Sequence, residues 1–255
     1  MRTQDYFRII KILIKFSVLL IGTLLIGITK AGFGGGAGLI VGPMLMLIYP
    51  TKESLGMMLP LLFICDIVSL FFYWRKWDKL NIAFIVPGAV VGIGIGSIFL
   101  GRFDDRILAK MIGITAIGFA LLQILQHQRL KGKEQFKTQP GLGILVGAAT
   151  GFFSTIAHLG GVLTMMFLLS QNLKNQVFVA TATLIYFSVN LLKIPVYIKL
   201  NVMNAQILLR ILPFFPLIAI GATLGFYLNH RTSAKAFTRI ILTIVFLTGI
   251  KLILK

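Results

Sequence analysis

The chain has 255 residues, of which 57% are hydrophobic and only 13% are charged. Soluble domains carry roughly 25% charged residues, so the composition excludes a soluble globular protein and indicates a chain that folds in a lipid bilayer. The net charge is +18, but the basic residues cluster between apolar segments, where they orient helices and meet anionic lipid headgroups. We therefore expect no nucleic-acid partner.

Apolar segments long enough to cross a bilayer as helices recur along the whole chain. The N-terminal run looks like a signal peptide, but we interpret it as a retained first membrane helix because further apolar segments simply follow it. The predicted segments are, in order, 12–31, 36–49, 54–74, 81–101, 107–126, 141–157, 159–170, 175–198, 205–228 and 235–254. They predict an all-α polytopic protein of the cytoplasmic (inner) membrane.

A hydrophilic stretch divides these segments into two similar halves. We assign 1–126 to a first transmembrane repeat, 127–140 to a basic connector and 141–255 to a second repeat. The spacing P-x4-G-x3-G-x5-R occurs in each half, at Pro87, Gly92, Gly96 and Arg102 and again at Pro216, Gly221, Gly225 and Arg231. The shared spacing predicts a duplication, and the basic loops favour inverted repeats with both termini outside. Four basic residues near the N terminus oppose that orientation, so the sidedness stays open.

Five glycines lie within seven residues between Gly32 and Gly38. Glycine weakens a helix, and irregular backbone is tolerated inside a membrane only where protein or a water-filled cavity surrounds it. A helix that restarts after such a break points free N–H groups and its positive dipole end at the cavity, which favours an anion. We therefore predict a broken or re-entrant helix whose backbone binds an anion at Gly34, Gly35, Gly36 and Gly38. The alternative is close helix packing through small residues.

The corresponding stretch of the second half brings hydroxyls and an imidazole, and its candidate ligands are Ser154, Thr155, His158, Gly160 and Gly161. Two broken segments at corresponding positions indicate the central site of a transporter. His158 is a candidate anion donor or proton carrier, and a structural hydrogen bond is the alternative. Ser154 and His158 lie four residues apart, but no nucleophile motif accompanies them, so we expect no catalysis.

A polar stripe runs along the predicted segment 175–198. Its members share one face of a helix and are Thr183, Tyr186, Asn190, Lys193 and Tyr197. Intramembrane ionisable residues usually face an interior path, which makes Asn190 and Lys193 candidate substrate ligands. Snorkelling of Lys193 to the membrane surface is the alternative.

Asp66 is the acidic residue placed deepest in a predicted span. A carboxylate at that depth is a candidate coupling residue that carries a proton, and a fixed hydrogen bond to a neighbouring helix is the alternative. Lys30 precedes the glycine cluster and is either a substrate-facing cation or an interface anchor. Cys65 is the only cysteine, so a disulfide within the chain and a cysteine-based metal site are excluded, and we expect no metal and no cofactor.

These residues resemble the TauE/SafE family of sulfite-exporter-like membrane permeases, over nearly the whole chain from about Gly22 to Leu254. The resemblance rests on the run 34–43, the Leu59-Pro60 pair with Asp66, Asn190 with Lys193, and Pro213, Pro216, Gly221, Gly225 and Gly249. It implies a duplicated helical permease that moves small sulfur-containing anions such as sulfite or organosulfonates, usually outward. The second glycine motif departs from the family pattern, because His158 and Leu159 stand where glycines are usual and Met166 replaces a usual proline.

The residues and the resemblance together predict a secondary transporter, in the export direction, for a small sulfur-containing anion, with Asp66 as the residue for proton coupling. The sequence has no G-x4-G-K-[ST] loop, so it does not indicate a nucleotide-driven pump. A passive anion channel, a permease for another small anion and, last, an intramembrane enzyme are the alternatives. The expected partners are a small anionic substrate and the bilayer, and the oligomeric state stays open, a homo-oligomer included.

Overall fold

The computed structural model describes residues 3–33, 37–129, 140–171, 173–229 and 249–254, and within these ranges the regular structure is helical throughout. The named helices are α1 (Thr3–Phe33), α2 (Ala37–Met46), α3 (Thr51–Phe72), α4 (Lys79–Arg102), α5 (Asp105–Arg129), α6 (Pro140–Ala157), α7 (Gly160–Ser170), α8 (Asn175–Lys199), α9 (Ala205–Ile211) and α10 (Phe215–Asn229). A 3-10 turn at Leu212–Phe214 joins the last two, so the predicted segment 205–228 is two helices that meet at Pro213.

Six helical spans in the described ranges are long and apolar enough to cross a membrane: Ile9–Gly32, Thr51–Phe72, Lys79–Arg102, Pro140–Ala157, Asn175–Lys199 and Ala205–Leu228. The prediction of an all-α polytopic membrane protein is confirmed. The helices follow the predicted segments closely, although α1 begins nine residues earlier than predicted. Most of the predicted connector and most of the segment 235–254 lie outside the described residues.

Helix α1 of the first half packs along α10 of the second half. α1 and α10 meet through glycines, with Gly27 against Gly221 and Gly32 against Gly225, so closely that a methyl group on Gly27 would meet the backbone of α10. Because rising residue numbers on α1 face rising numbers on α10, the two helices run parallel. Small residues let helix backbones approach in a membrane, where packing replaces the hydrophobic effect.

The same arrangement joins α4 of the first half to α6 of the second. Gly92 lies against the carbonyl of Ala148, Gly96 lies against Thr155, and Gly151 lies against Ala89. These two helices also run parallel. The glycines of the repeated P-x4-G-x3-G spacing therefore join the halves, each on the first helix of the opposite half.

α3 and α8 cross at the centre of the bundle. The ring of Phe63 stacks on that of Phe187 with centroids 5.1 Å apart, and Asn190 donates a hydrogen bond to Asp66. Val202, which follows α8, packs on Gly56 near the start of α3. The end of one helix thus reaches the beginning of the other, so they run antiparallel.

Two helix boundaries in the two halves differ by a constant 124 residues. The pairs are the ends of α2 and α7 (Met46, Ser170) and the starts of α3 and α8 (Thr51, Asn175). Corresponding helices that run in opposite directions, as α3 and α8 do, are the geometry that inverted repeats require. The duplication itself, and the division into 1–126 and 141–255, stay predictions.

Replacement of Gly92 by alanine tests the α4–α6 contact. The new methyl group would overlap the carbonyl oxygen of Ala148, and overpacking of this kind costs about 1–3 kcal/mol. We expect Gly92→Ala to lower the midpoint of thermal unfolding in detergent. Gly94→Ala is the matched control on the same helix, because nothing lies within 4 Å of the position of its methyl group. Equal stability of the two variants would show that α4 does not pack through Gly92.

Candidate substrate site

A cavity of about 40 Å³ lies beside the crossing of α3 and α8. A single water needs roughly 10–15 Å³ on this measure, so the cavity has room for a few waters or one small anion. Its polar lining comprises Lys30, Thr150, Ser154, His158, Tyr186 and Asn190. These side chains come from α1, α6, α8 and the junction of α6 with α7, so both halves of the chain contribute.

The second half is broken beside this cavity. α6 ends at Ala157 and α7 begins at Gly160. Between them His158 has a φ of 55°, in the left-handed region that glycine usually occupies at the end of a helix. The strained residue is held by hydrogen bonds on its backbone and ring, as expected of strain at a functional site.

In the first half, α1 is described as far as Phe33 and α2 from Ala37 onward. The predicted ligands Gly34, Gly35 and Gly36 lie outside the described residues. Gly38 is described, lines the cavity, and sits so close to the carbonyl of His158 that any side chain would overlap it. The start of α2 therefore touches the break of the other half.

Lys193 lies behind the cavity and bonds the residues at the break between α6 and α7. Its Nζ is 2.8 Å from Ser154 Oγ, 3.1 Å from Ser154 O and 3.0 Å from His158 Nδ1. An ammonium group can only donate, so we assign Nδ1 as the acceptor and Nε2 as the donor to Leu55 O, at 3.0 Å. Lys193 has 0% exposure, so it does not snorkel to the membrane surface, and it orients two cavity-lining residues without lining the cavity itself.

Lys30 and Asp66 form an ion pair on the opposite wall. Lys30 Nζ is 2.5 Å from Asp66 Oδ1 and donates to Leu62 O at 3.2 Å. Asn190 Nδ2 donates to Asp66 Oδ2 at 2.7 Å. Lys30 is 6% exposed and lines the cavity, whereas Asp66 is fully buried behind it. Of the two interpretations of Lys30, the structure therefore supports a cation that faces the interior, and Asp66 is paired.

Two other predicted ligands serve the packing of α6 and α7. Thr155 donates its hydroxyl to Gly151 O within its own helix, at 2.8 Å. Gly160 packs on the carbonyl of Thr150. Gly161 does line the cavity, and its carbonyl accepts the hydroxyl of Tyr186 at 2.8 Å.

The structure thus brings five predicted ligands to the cavity wall, namely Gly38, Ser154, His158, Gly161 and Asn190. It adds Lys30, Thr150 and Tyr186 to the wall. Lys30 had a signal in the sequence, since a lysine that deep is expensive, and Tyr186 belongs to the polar stripe. Thr150 had none, because an isolated threonine in an apolar helix is common.

A broken membrane helix beside a cavity lined by polar side chains, as at the α6–α7 junction, is typical of secondary transporters. Comparison with known sequences leads to the same class. A model of the family described as "Sulfite exporter TauE/SafE" matches residues 19–252. The chain belongs to this family, as its motifs predicted, and it is a multi-pass membrane protein.

One curated relative is a protein of Methanocaldococcus jannaschii named as a probable membrane transporter. It is 28% identical over a match that covers 62% of this chain and 63% of the relative. The chain thus spans just under two thirds of that protein. No solved structure matches the chain significantly.

The Lys30–Asp66 pair is testable by a double-mutant cycle. Lys30→Met leaves a buried carboxylate without its cation, and Asp66→Asn leaves a buried ammonium without its anion. Each single change should cost about 3–5 kcal/mol of unfolding free energy, and the double variant should cost clearly less than their sum. Unfolding in detergent measures all four proteins. Lys193→Met combined with Asp66→Asn is the comparison pair, and equal coupling in both cycles would contradict a specific ion pair.

Proposed function

We propose that the protein is a secondary transporter that exports a small sulfur-containing anion, such as sulfite or an organosulfonate, across the cytoplasmic membrane. The observation that carries this proposal is the cavity between the halves, whose wall offers the Lys30 ammonium, the Asn190 amide and the Ser154 hydroxyl. Asp66 is the proposed coupling residue, and Lys193 with His158 holds the wall in place.

The charge around the cavity favours an anion. Lys30 lines the cavity, and Asp66, the carboxylate that pairs with it, is fully buried behind the wall. A cleft with walls of low dielectric constant and one sign of charge concentrates ligands of the opposite sign. Lys30 is therefore the charged group that an entering anion would meet.

The donors around the cavity suit an oxoanion. Lys30, Asn190 and Ser154 present N–H and O–H groups from different helices, and the oxygens of a sulfite or sulfonate group are acceptors. Charged acceptors make shorter and stronger hydrogen bonds than neutral ones. The small volume fits the anionic head group, so the organic part of a longer sulfonate needs a wider state of the cavity.

The geometry does not support nucleophilic catalysis by Ser154 and His158. A general base must contact the hydroxyl that it deprotonates. Here His158 Nδ1 faces Lys193, and His158 Nε2 faces Leu55 O. Both ring nitrogens are therefore occupied by partners other than Ser154, which favours a structural role for the ring.

Flux into proteoliposomes tests the proposal. Purified protein should move at least one of sulfite, thiosulfate, sulfoacetate and sulfate at rates well above protein-free vesicles. Lys193→Ala should reduce that flux at least about tenfold, because Ser154 and His158 each lose a buried hydrogen-bond donor worth about 1–3 kcal/mol. Ser188→Ala is the matched control on α8, since that hydroxyl bonds only Leu184 O of its own helix at 2.9 Å, and its flux should equal wild type.

Three outcomes would count against parts of the proposal. Absence of flux for all four anions would contradict the substrate class. Flux that ignores every ion gradient, at rates beyond those of a carrier, would identify a passive channel. Wild-type flux in Lys193→Ala would remove the Ser154–His158 wall from the site.

A further inference from the structure

Asp66 controls two residues of the cavity wall without being part of that wall. Its Oδ1 is 2.5 Å from Lys30 Nζ, and its Oδ2 accepts from Asn190 Nδ2 at 2.7 Å. Lys30 and Asn190 line the cavity, whereas Asp66 is fully buried. Whatever changes the charge of Asp66 therefore changes what the cavity offers to a ligand.

We propose that Asp66 and the transported anion are alternative partners of the Lys30 ammonium, so that protonation of Asp66 releases Lys30 to the anion. This mechanism rests on the proposed function and identifies how its site is regulated. With Asp66 ionised, the positive charge of Lys30 is already neutralised, and a second anion beside it meets like-charge repulsion. With Asp66 protonated, the Lys30 charge has no anionic partner within the described site, and an anion supplies one.

The contacts of Lys30 allow it to change partners, from Asp66 to a ligand, with a short movement of its side chain. Lys30 Nζ already touches the cavity, and its second hydrogen bond, to Leu62 O at 3.2 Å, does not depend on Asp66. A lysine is a point charge on a flexible stem, so it can turn from Asp66 to a ligand without a movement of α1. Asn190 has a second amide hydrogen, which can serve the same ligand while the first stays on Asp66.

Lys193 cannot play this part, because its three contacts are with neutral groups of Ser154 and His158. The 124-residue offset between the halves pairs Lys30 with Ser154 and Ser69 with Lys193. Each half thus brings one lysine to the site, but only the first half brings a carboxylate. Binding of a proton to Asp66 can therefore change the net charge beside Lys30, whereas Lys193 has no such carboxylate partner within the described residues.

The titratable groups that face Asp66 come from three helices and are Lys30 on α1, Cys65 on α3, and Tyr186 and Lys193 on α8. α2 carries no titratable residue, and on α10, which also packs on α3, the titratable residue is Tyr227, which is 66% exposed and does not face Asp66. Asp105 of α5 and Arg210 of α9 meet the first turn of α3 at Lys52 and Glu53, more than three helical turns from Asp66. The remaining candidate for pH dependence at the site is His158, which the experiment must separate.

Proton and anion bind together in this scheme, so they cross the membrane in the same direction. Linkage makes the effect reciprocal, because the proton strengthens anion binding by the factor by which the anion strengthens proton binding. Export would therefore carry one proton outward with each anion. For a divalent anion one net negative charge leaves, so the anion gradient and an inside-negative membrane potential both drive export, whereas for a monovalent anion the step is electroneutral and the anion gradient drives it. An inward proton gradient would favour uptake.

Binding of thiosulfate across a pH series tests the switch. Thiosulfate keeps its charge over the neutral range, whereas sulfite itself titrates there. For the detergent-solubilised wild-type chain, thiosulfate affinity should rise as the pH falls, by up to about tenfold per pH unit when one proton accompanies one anion. Asp66→Asn should bind with an affinity that no longer depends on pH, and Lys30→Met should bind weakly throughout.

His158→Asn is the control for the other titratable group. Asparagine tolerates the left-handed backbone of this position, and it removes the imidazole. This variant should keep the wild-type slope of affinity against pH, whatever its absolute affinity. Loss of the slope in His158→Asn together with its persistence in Asp66→Asn would overturn the proposal.

A measurement on wild-type protein does not depend on whether any variant folds. Addition of thiosulfate to weakly buffered protein should cause proton uptake that approaches one proton per bound anion. Thiosulfate binding without proton uptake at any pH of the series would overturn the Asp66 switch and leave the proposed transport function intact. Absence of thiosulfate binding by wild type at every pH would contradict both.

Discussion

The structure depends on one constraint, which is that a backbone broken inside a bilayer must find all its partners within the protein. At the break of the second half, His158 N donates to Ser154 O at 3.0 Å and Leu159 N donates to Phe153 O at 3.2 Å. The start of α2 covers the carbonyl of His158 through Gly38. The cavity exists at this place because enclosing a break requires several helices to converge around backbone that cannot pack as a regular cylinder.

The two predicted repeats share a pair of matching hydrogen bonds but differ in their charged residues. Tyr73 OH donates to Ala31 O at 3.1 Å, and Tyr197 OH donates to Thr155 O at 2.7 Å. Donors and acceptors of these two bonds are both 124 residues apart, so each tyrosine fastens its third helix to the end of the first helix of its own half. The charged residues do not follow this symmetry, since Asp66 corresponds to Asn190. Because of this asymmetry, the described site has two lysines, Lys30 and Lys193, and one carboxylate, Asp66, which is buried behind the cavity wall.

Hydropathy predicted the helices because membrane length and apolar composition leave few alternatives. The polar stripe of α8 faces the interior as its spacing predicted, with Asn190 and Lys193 buried. The Lys30–Asp66 pair escaped prediction, because 36 residues separate the two and only the rotation of α1 against α3 brings them together. A motif indicates the approximate position of a helix break but not which side chains face the cavity, because successive residues are rotated by about 100° around a helix. Thr155 and Lys193 therefore lie behind the cavity wall, although neighbouring residues line it.

Contacts between the halves close the bundle at both ends of the α3–α8 crossing. Val202 packs on Gly56 at one end, and at the other end Asp78 N donates to Thr181 Oγ1 at 2.8 Å. Val202 and Asp78 are again 124 residues apart, and their partners Gly56 and Thr181 differ from that offset by one residue. The Val202 end has an additional ion pair between Arg210 and Glu53, but partly exposed pairs contribute only about 0–1 kcal/mol. Opening either end of the α3–α8 crossing would break one of these two contacts between the halves.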